Sequence, residues 1–127
     1  MAFTANDPDE FYGINNKKEL VQAKKILQRR VNENHMLNGV TIEDPEMTVI
    51  DPEAKIGMDT IISGPVKILG NTEIGENCII EGSSRIEDSI LRDGVKIDNS
   101  VIEKSFVDQG SDVGPYAHPV SYTHLTL

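Results

Sequence analysis

Few side chains in this sequence of 127 residues stand where their type and position point to chemistry, and each has a plainer role beside it. Asn15 is a single amide side chain. On its own it reads as the start of a helix. Lys24, Lys25, Arg29 and Arg30 form a basic cluster that suits phosphate or nucleic acid, or simply a solvated helix face, the reading favoured here. The single cysteine, Cys78, falls where a small core residue is expected, so it reads as packing rather than as a nucleophile. His118 reads as a corner or surface residue without an acid/base role.

The elements that must hold these residues come from one pattern. Isoleucine recurs every sixth residue at Ile50, Ile56, Ile62, Ile68, Ile74, Ile80 and Ile86. That period is neither helical nor simple strand alternation. It is the mark of a hexapeptide-repeat parallel β-helix, whose repeats bury a core only by stacking. Each six reads as a short strand and a corner. The first position is an inward aliphatic; the fifth is a smaller inward residue: Ala54, Thr60, Val66, Thr72, Cys78 and Ser84. Gly57, Gly64, Gly70, Asn71, Gly75, Asn77 and Gly82 supply corners. Beyond Ile86 some rungs are one residue shorter. The aliphatics become Leu91, Ile97, Ile102, Val107 and Val113, and counting forward gives Ile90, Val95, Val101, Phe106, Ser111 and Ala117 as fifth positions. Three flats make a turn of about eighteen residues, so residues 50–118 give nearly four turns. Each buried aliphatic contributes roughly 1.5–3 kcal/mol of transfer free energy, largely offset by chain entropy. A β-sandwich is the rival, but its strands do not keep a strict six-residue register. Spacing leaves the handedness open.

Residues 17–36 read as a helix with Leu20, Ala23, Ile26, Leu27 and Val31 on one face. Asn16 and Glu19 suit a capping box, and Asn38-Gly39 a stop. Met1 to Thr4 is strand-like and has no partner in the chain. The net charge of −9 argues against a general nucleic-acid binder and suits a cytoplasmic protein. A lone cysteine fits a reducing compartment. The N-terminus has no apolar signal region, and no stretch is long enough to span a membrane.

Gly13-Ile14-Asn15-Asn16-Lys17, a helix, then His35-Met36-Leu37-Asn38-Gly39-Val40-Thr41-Ile42-Glu43-Asp44-Pro45 and hexapeptide repeats together resemble one family over residues 1–118. It is the bacterial bifunctional N-acetylglucosamine-1-phosphate uridylyltransferase and glucosamine-1-phosphate N-acetyltransferase. The resemblance implies a Rossmann-like domain that makes UDP-N-acetylglucosamine from UTP and N-acetylglucosamine-1-phosphate with Mg²⁺. It implies a linker helix, then a left-handed β-helix that trimerises and acetylates glucosamine-1-phosphate with acetyl-CoA, feeding peptidoglycan and lipopolysaccharide synthesis. Asn15 aligns with the asparagine that helps hold Mg²⁺ and the sugar nucleotide; its partner aspartate belongs to the upstream domain. The acetyltransferase residues follow a motif that this chain enters at Gly114-Pro115-Tyr116-Ala117-His118 and then leaves, and His118 is not the catalytic histidine. No catalytic residue is expected here.

The expected organisation is a remnant of the nucleotidyltransferase domain at 1–14, the linker helix at 15–38 and the start of the β-helix at 39–118. The repeat is expected to stop after His118. Val120 to Leu127 back-translates to GTC TCT TAT ACA CAT CTG ACG CTG, which looks like a transposase-type sequencing adapter read in frame, so 119–127, with Tyr122 and His124, carries no functional inference. The first reading is thus an inactive piece of a bifunctional transferase. Its rivals are a non-catalytic β-helix for trimerisation or scaffolding, and another sugar nucleotidyltransferase with a regulatory β-helix.

Overall fold

The computed structural model describes residues 16–118 and the strand His124–Leu125. Asn15 and the strand-like opening lie outside the described residues. Helix α1 (Lys17–Leu37) starts where Asn16 Oδ1 accepts the backbone N–H of Glu19 at 2.9 Å. It ends in a Schellman turn. The N–H of Gly39 bonds the Met36 carbonyl and that of Val40 the His35 carbonyl, with Gly39 at φ +94°. Cap and stop therefore match the expectation, with one more residue at the C-terminal end.

Among the described residues fourteen short strands, β1 to β14 in chain order, wind into a prism in which every pairing is parallel. One face stacks β1 (Thr41–Ile42), β4 (Ile61–Ser63), β7 (Ile79–Glu81), β10 (Lys96–Asp98) and β13 (Asp112–Val113). The second stacks β2 (Thr48–Ile50), β5 (Val66–Leu69), β8 (Arg85–Glu87) and β11 (Val101–Glu103). The third stacks β3 (Lys55–Ile56), β6 (Glu73–Ile74), β9 (Ile90–Leu91), β12 (Phe106–Val107) and β14 (His124–Leu125). This is the mainly β solenoid of about four turns that the hexads predict, consistent with the left-handed form. A short 3-10 helix, Pro45–Met47, precedes β2.

Each face sends one aliphatic column inward. Ile42, Ile62, Ile80, Ile97 and Val113 form the first; Ile50, Ile68, Ile86 and Ile102 the second; Ile56, Ile74, Leu91 and Val107 the third. All are buried except Ile56, which is half-buried. The turns shorten from β4 to β13. Ile61 pairs with Ile79, eighteen residues on; Glu73 with Ile90, seventeen; Arg85 with Val101, sixteen.

The shortening corrects three of the expected inward residues. Ile90, Val101 and Phe106 face outward, and Ser89, Ser100 and Ser105 take the small inward positions. A short rung loses its residue at the corner, whereas strand alternation keeps the small position two residues before the next inward aliphatic. Counting backward from Leu91, Ile102 and Val107 finds the serines; counting forward does not.

The small columns replace backbone ladder bonds at the corners. Ser100 Oγ donates to the Asp98 carbonyl at 2.8 Å and accepts the N–H of Ala117 at 3.2 Å. Ser84, Ser89 and Thr72 do the same between their own turns. A buried hydroxyl is tolerated here because both its functions are met. Carboxylates add a second tie between turns: Asp88 accepts the N–H of Asn71 and Asp93 that of Glu76.

Beyond His118 the expected end of the repeat is not what the backbone shows. His124 pairs with Phe106 and Leu125 with Val107, eighteen residues apart, extending the third face.

Candidate functional site

Helix α1 lies across the first turn of the prism, against β1, β2 and the 3-10 helix. Its packed side keeps Ala23, Leu27 and Val31 of the expected face but not Leu20 and Ile26. Ala23 and Asn32 are buried and Leu27, Gln28, Val31 and His35 half-buried, while Leu20 and Ile26 remain exposed. The first turn explains the shift, because its outer carbonyls have no strand above them and require donors. Asn32 Nδ2 donates to the carbonyls of Pro45 and Thr48 at 3.0 and 3.1 Å. Gln28 Nε2 donates to the Thr48 carbonyl at 2.6 Å. These two amides, one helical turn apart, escaped the sequence reading; polar residues interrupting an apolar face were the available signal.

Beside this seam runs a groove of about 580 Å³ whose lining includes Lys25, Arg29, Glu33 and Glu46. Lys24, Lys25, Arg29 and Arg30 all lie on the exposed side of α1, as a solvated face requires.

At the other end, Tyr116 and His118 project from the rim of the last turn, and Ala117 packs half-buried against the core. His118 Nε2 stands 3.6 Å from Glu103 Oε1. That oxygen already accepts from Arg85 at 3.1 Å, and Arg85 also grips Glu87 at 2.7 Å. His118 is an exposed imidazole at the edge of a surface ion-pair cluster, the surface position expected of it. Exposed pairs of this kind contribute about 0–1 kcal/mol.

Cys78 lies at the centre of the first face's small column, between Thr60 and Val95, and is fully buried. Burial pushes its thiol above the ordinary value, and Sγ donates to the Arg92 carbonyl at 3.2 Å. A raised thiol pKa starves the reactive thiolate. Iodoacetamide at mildly alkaline pH is therefore expected to spare Cys78 in the folded chain and to modify it fully in denaturant. Native labelling at the rate of a free thiol would contradict this. His35 is held below its ordinary value by burial.

Among the described residues no group of three or more His, Cys, Asp or Glu side chains is placed to hold a metal ion. These residues do not fit a Mg²⁺ site by themselves, and Asn15 lies outside them. Nor is any helix among them long and apolar enough to cross a membrane.

No protein-family model matches the chain. Curated proteins do. The chain is 50% identical over 117 residues to a protein of Enterococcus faecalis named Bifunctional protein GlmU, 47% identical to one of that name from Lactobacillus johnsonii, and 40% identical to one from Alkaliphilus metalliredigens. In each case the match covers 92% of this chain but only 25–26% of the relative. The chain thus spans about a quarter of the length of the relatives it matches. Over those 117 residues it belongs to the family of proteins named Bifunctional protein GlmU.

Proposed function

We propose that this chain provides the linker helix and opening turns of the acetyltransferase β-helix in a bifunctional transferase. One half of that enzyme transfers UMP from UTP to N-acetylglucosamine-1-phosphate; the other acetylates glucosamine-1-phosphate with acetyl-CoA. The observation that carries this is the match to Bifunctional protein GlmU relatives across a helix and a hexapeptide prism in the same order.

In this reading residues 1–14 belong to the nucleotidyltransferase domain, 15–38 to the linker, 39–118 to the β-helix and 119–127 to a sequencing adapter. Genomic reads spanning 118–127 without a junction would refute the adapter origin. The Asn15 amide oxygen is one ligand of Mg²⁺ and a contact to UDP-N-acetylglucosamine; the remaining ligands come from elsewhere in the enzyme. With Asn15 among its ligands, a bound Mg²⁺ would supply neutralisation of phosphate charge. Amine acetylation requires a general base, and His118, exposed and beside an arginine-paired carboxylate, does not fill that role. The working enzyme is a cytoplasmic homotrimer, and this segment positions rather than reacts.

The purified chain is expected to form no UDP-N-acetylglucosamine from UTP, N-acetylglucosamine-1-phosphate and Mg²⁺. It is also expected to release no CoA thiol from acetyl-CoA and glucosamine-1-phosphate. Turnover in either assay refutes the positioning role. A second reading, a non-catalytic trimerisation or scaffold module, draws on the outward Ile79 and Ile90, each 37% exposed on a flat face. A discrete soluble trimer in sedimentation favours it, and aggregation opposes it.

A further inference from the structure

The hydrophobic effect alone does not select how α1 sits on the prism. The packed side offers Ala23, Leu27 and Val31, only the first of them fully buried. Ile26, Met36 and Leu37, turned away from that side, are exposed, so a rotated helix would also present apolar surface. What distinguishes the observed setting is the amide pair. Asn32 is 1% exposed and spends its Nδ2 on the Pro45 and Thr48 carbonyls, while its Oδ1 has no partner. Gln28 Nε2 meets the Thr48 and Pro45 carbonyls from one turn earlier. A half-satisfied buried amide is a poor way to gain stability, since its idle acceptor carries a desolvation penalty. It is an effective way to reject other arrangements, because rotation takes both amides off the Pro45 and Thr48 carbonyls and leaves those carbonyls without their donors.

We infer that Gln28 and Asn32 form a clamp that fixes the rotational setting of α1 on the prism, and so the direction in which the helix leaves it. Directionality comes from hydrogen bonds, whereas affinity comes from the apolar contacts of Ala23, Leu27 and Val31.

Spin labels at Lys24→Cys and Lys67→Cys, both exposed, report the helix-to-prism distance by pulsed electron paramagnetic resonance. A Cys78→Ser background removes the third thiol with a residue type that its own column already uses at Ser111. The parent is expected to give one narrow distance distribution. Gln28→Leu/Asn32→Leu is expected to lose that single maximum while remaining folded. Val31→Ala is expected to lower the unfolding midpoint yet keep the parental distribution. The proposal is overturned if the double variant retains the parental distribution, or if Val31→Ala broadens it equally. A double variant that fails to fold also overturns it, since the amides would then supply stability rather than orientation.

Discussion

Ile80→Ala is expected to lower the free energy of unfolding by about 2–5 kcal/mol, the range for truncating a fully buried isoleucine. Ile80 is 0% exposed, with Ile62 above and Ile97 below in the same column. Backbone bonds to both neighbouring turns prevent the site from collapsing around the lost atoms. Domains of this size have only about 5–15 kcal/mol to lose, so the variant stands near its folding limit. The same truncation at Ile50, which has a strand on one side only, is expected to cost less. Urea titration of both variants checks the pair. Equal losses would mean that the prism does not transmit stability turn by turn, contrary to a stacked-repeat fold.

Gly57→Ala is the second large effect, and its cause is distance rather than backbone angle. A Cβ at Gly57 would stand 2.7 Å from Gly75 C and O and from Glu76 N, all backbone atoms that cannot swing aside. The Gly57 N–H donates to the Ile74 carbonyl at 2.8 Å, which fixes the spacing the methyl would have to open. Overpacking of this sort costs about 1–3 kcal/mol, and broken pairing between β3 and β6 adds to it. Gly110→Ala is the control. Gly110 has φ +74° but nothing within 4 Å of an added Cβ, so only left-handed strain of about 1 kcal/mol opposes it. Thermal midpoints should fall further for Gly57→Ala. The reverse order would show that corner conformation, not the approach of turns, limits these positions.

Isoleucine spacing made the prism legible because one physical demand, an inward aliphatic on each flat, repeats without exception from Ile62 to Ile102. The small columns were half legible. Forward counting works while corners are constant and fails at Ile90, Val101 and Phe106, where a corner residue is lost and alternation within the strand prevails. The helix was legible in its caps, Asn16 and Gly39, which act locally. Its packed side was legible in Ala23, Leu27 and Val31 but not in Gln28 and Asn32, which answer carbonyls at Pro45 and Thr48 that exist only once the first turn has formed. The candidate ligand Asn15 was suggested by resemblance alone. No periodicity marks it, and the described residues provide no ligand cluster for it to join.

Stacked repeats of near-identical shape invite a threading error, in which a segment docks one turn too early or too late and still buries its aliphatics. In this prism the rungs are not interchangeable. Eighteen residues separate Ile61 from Ile79, seventeen separate Glu73 from Ile90, and sixteen separate Arg85 from Val101. A strand that slipped by a whole turn would arrive with a loop too long or too short to close its corner, and with Ser89 or Ser100 out of step with the N–H it must accept. The change in circumference thus distinguishes the early turns from the later ones, and a sequence that looks monotonous in its isoleucines is less ambiguous in its assembly than its spacing suggests.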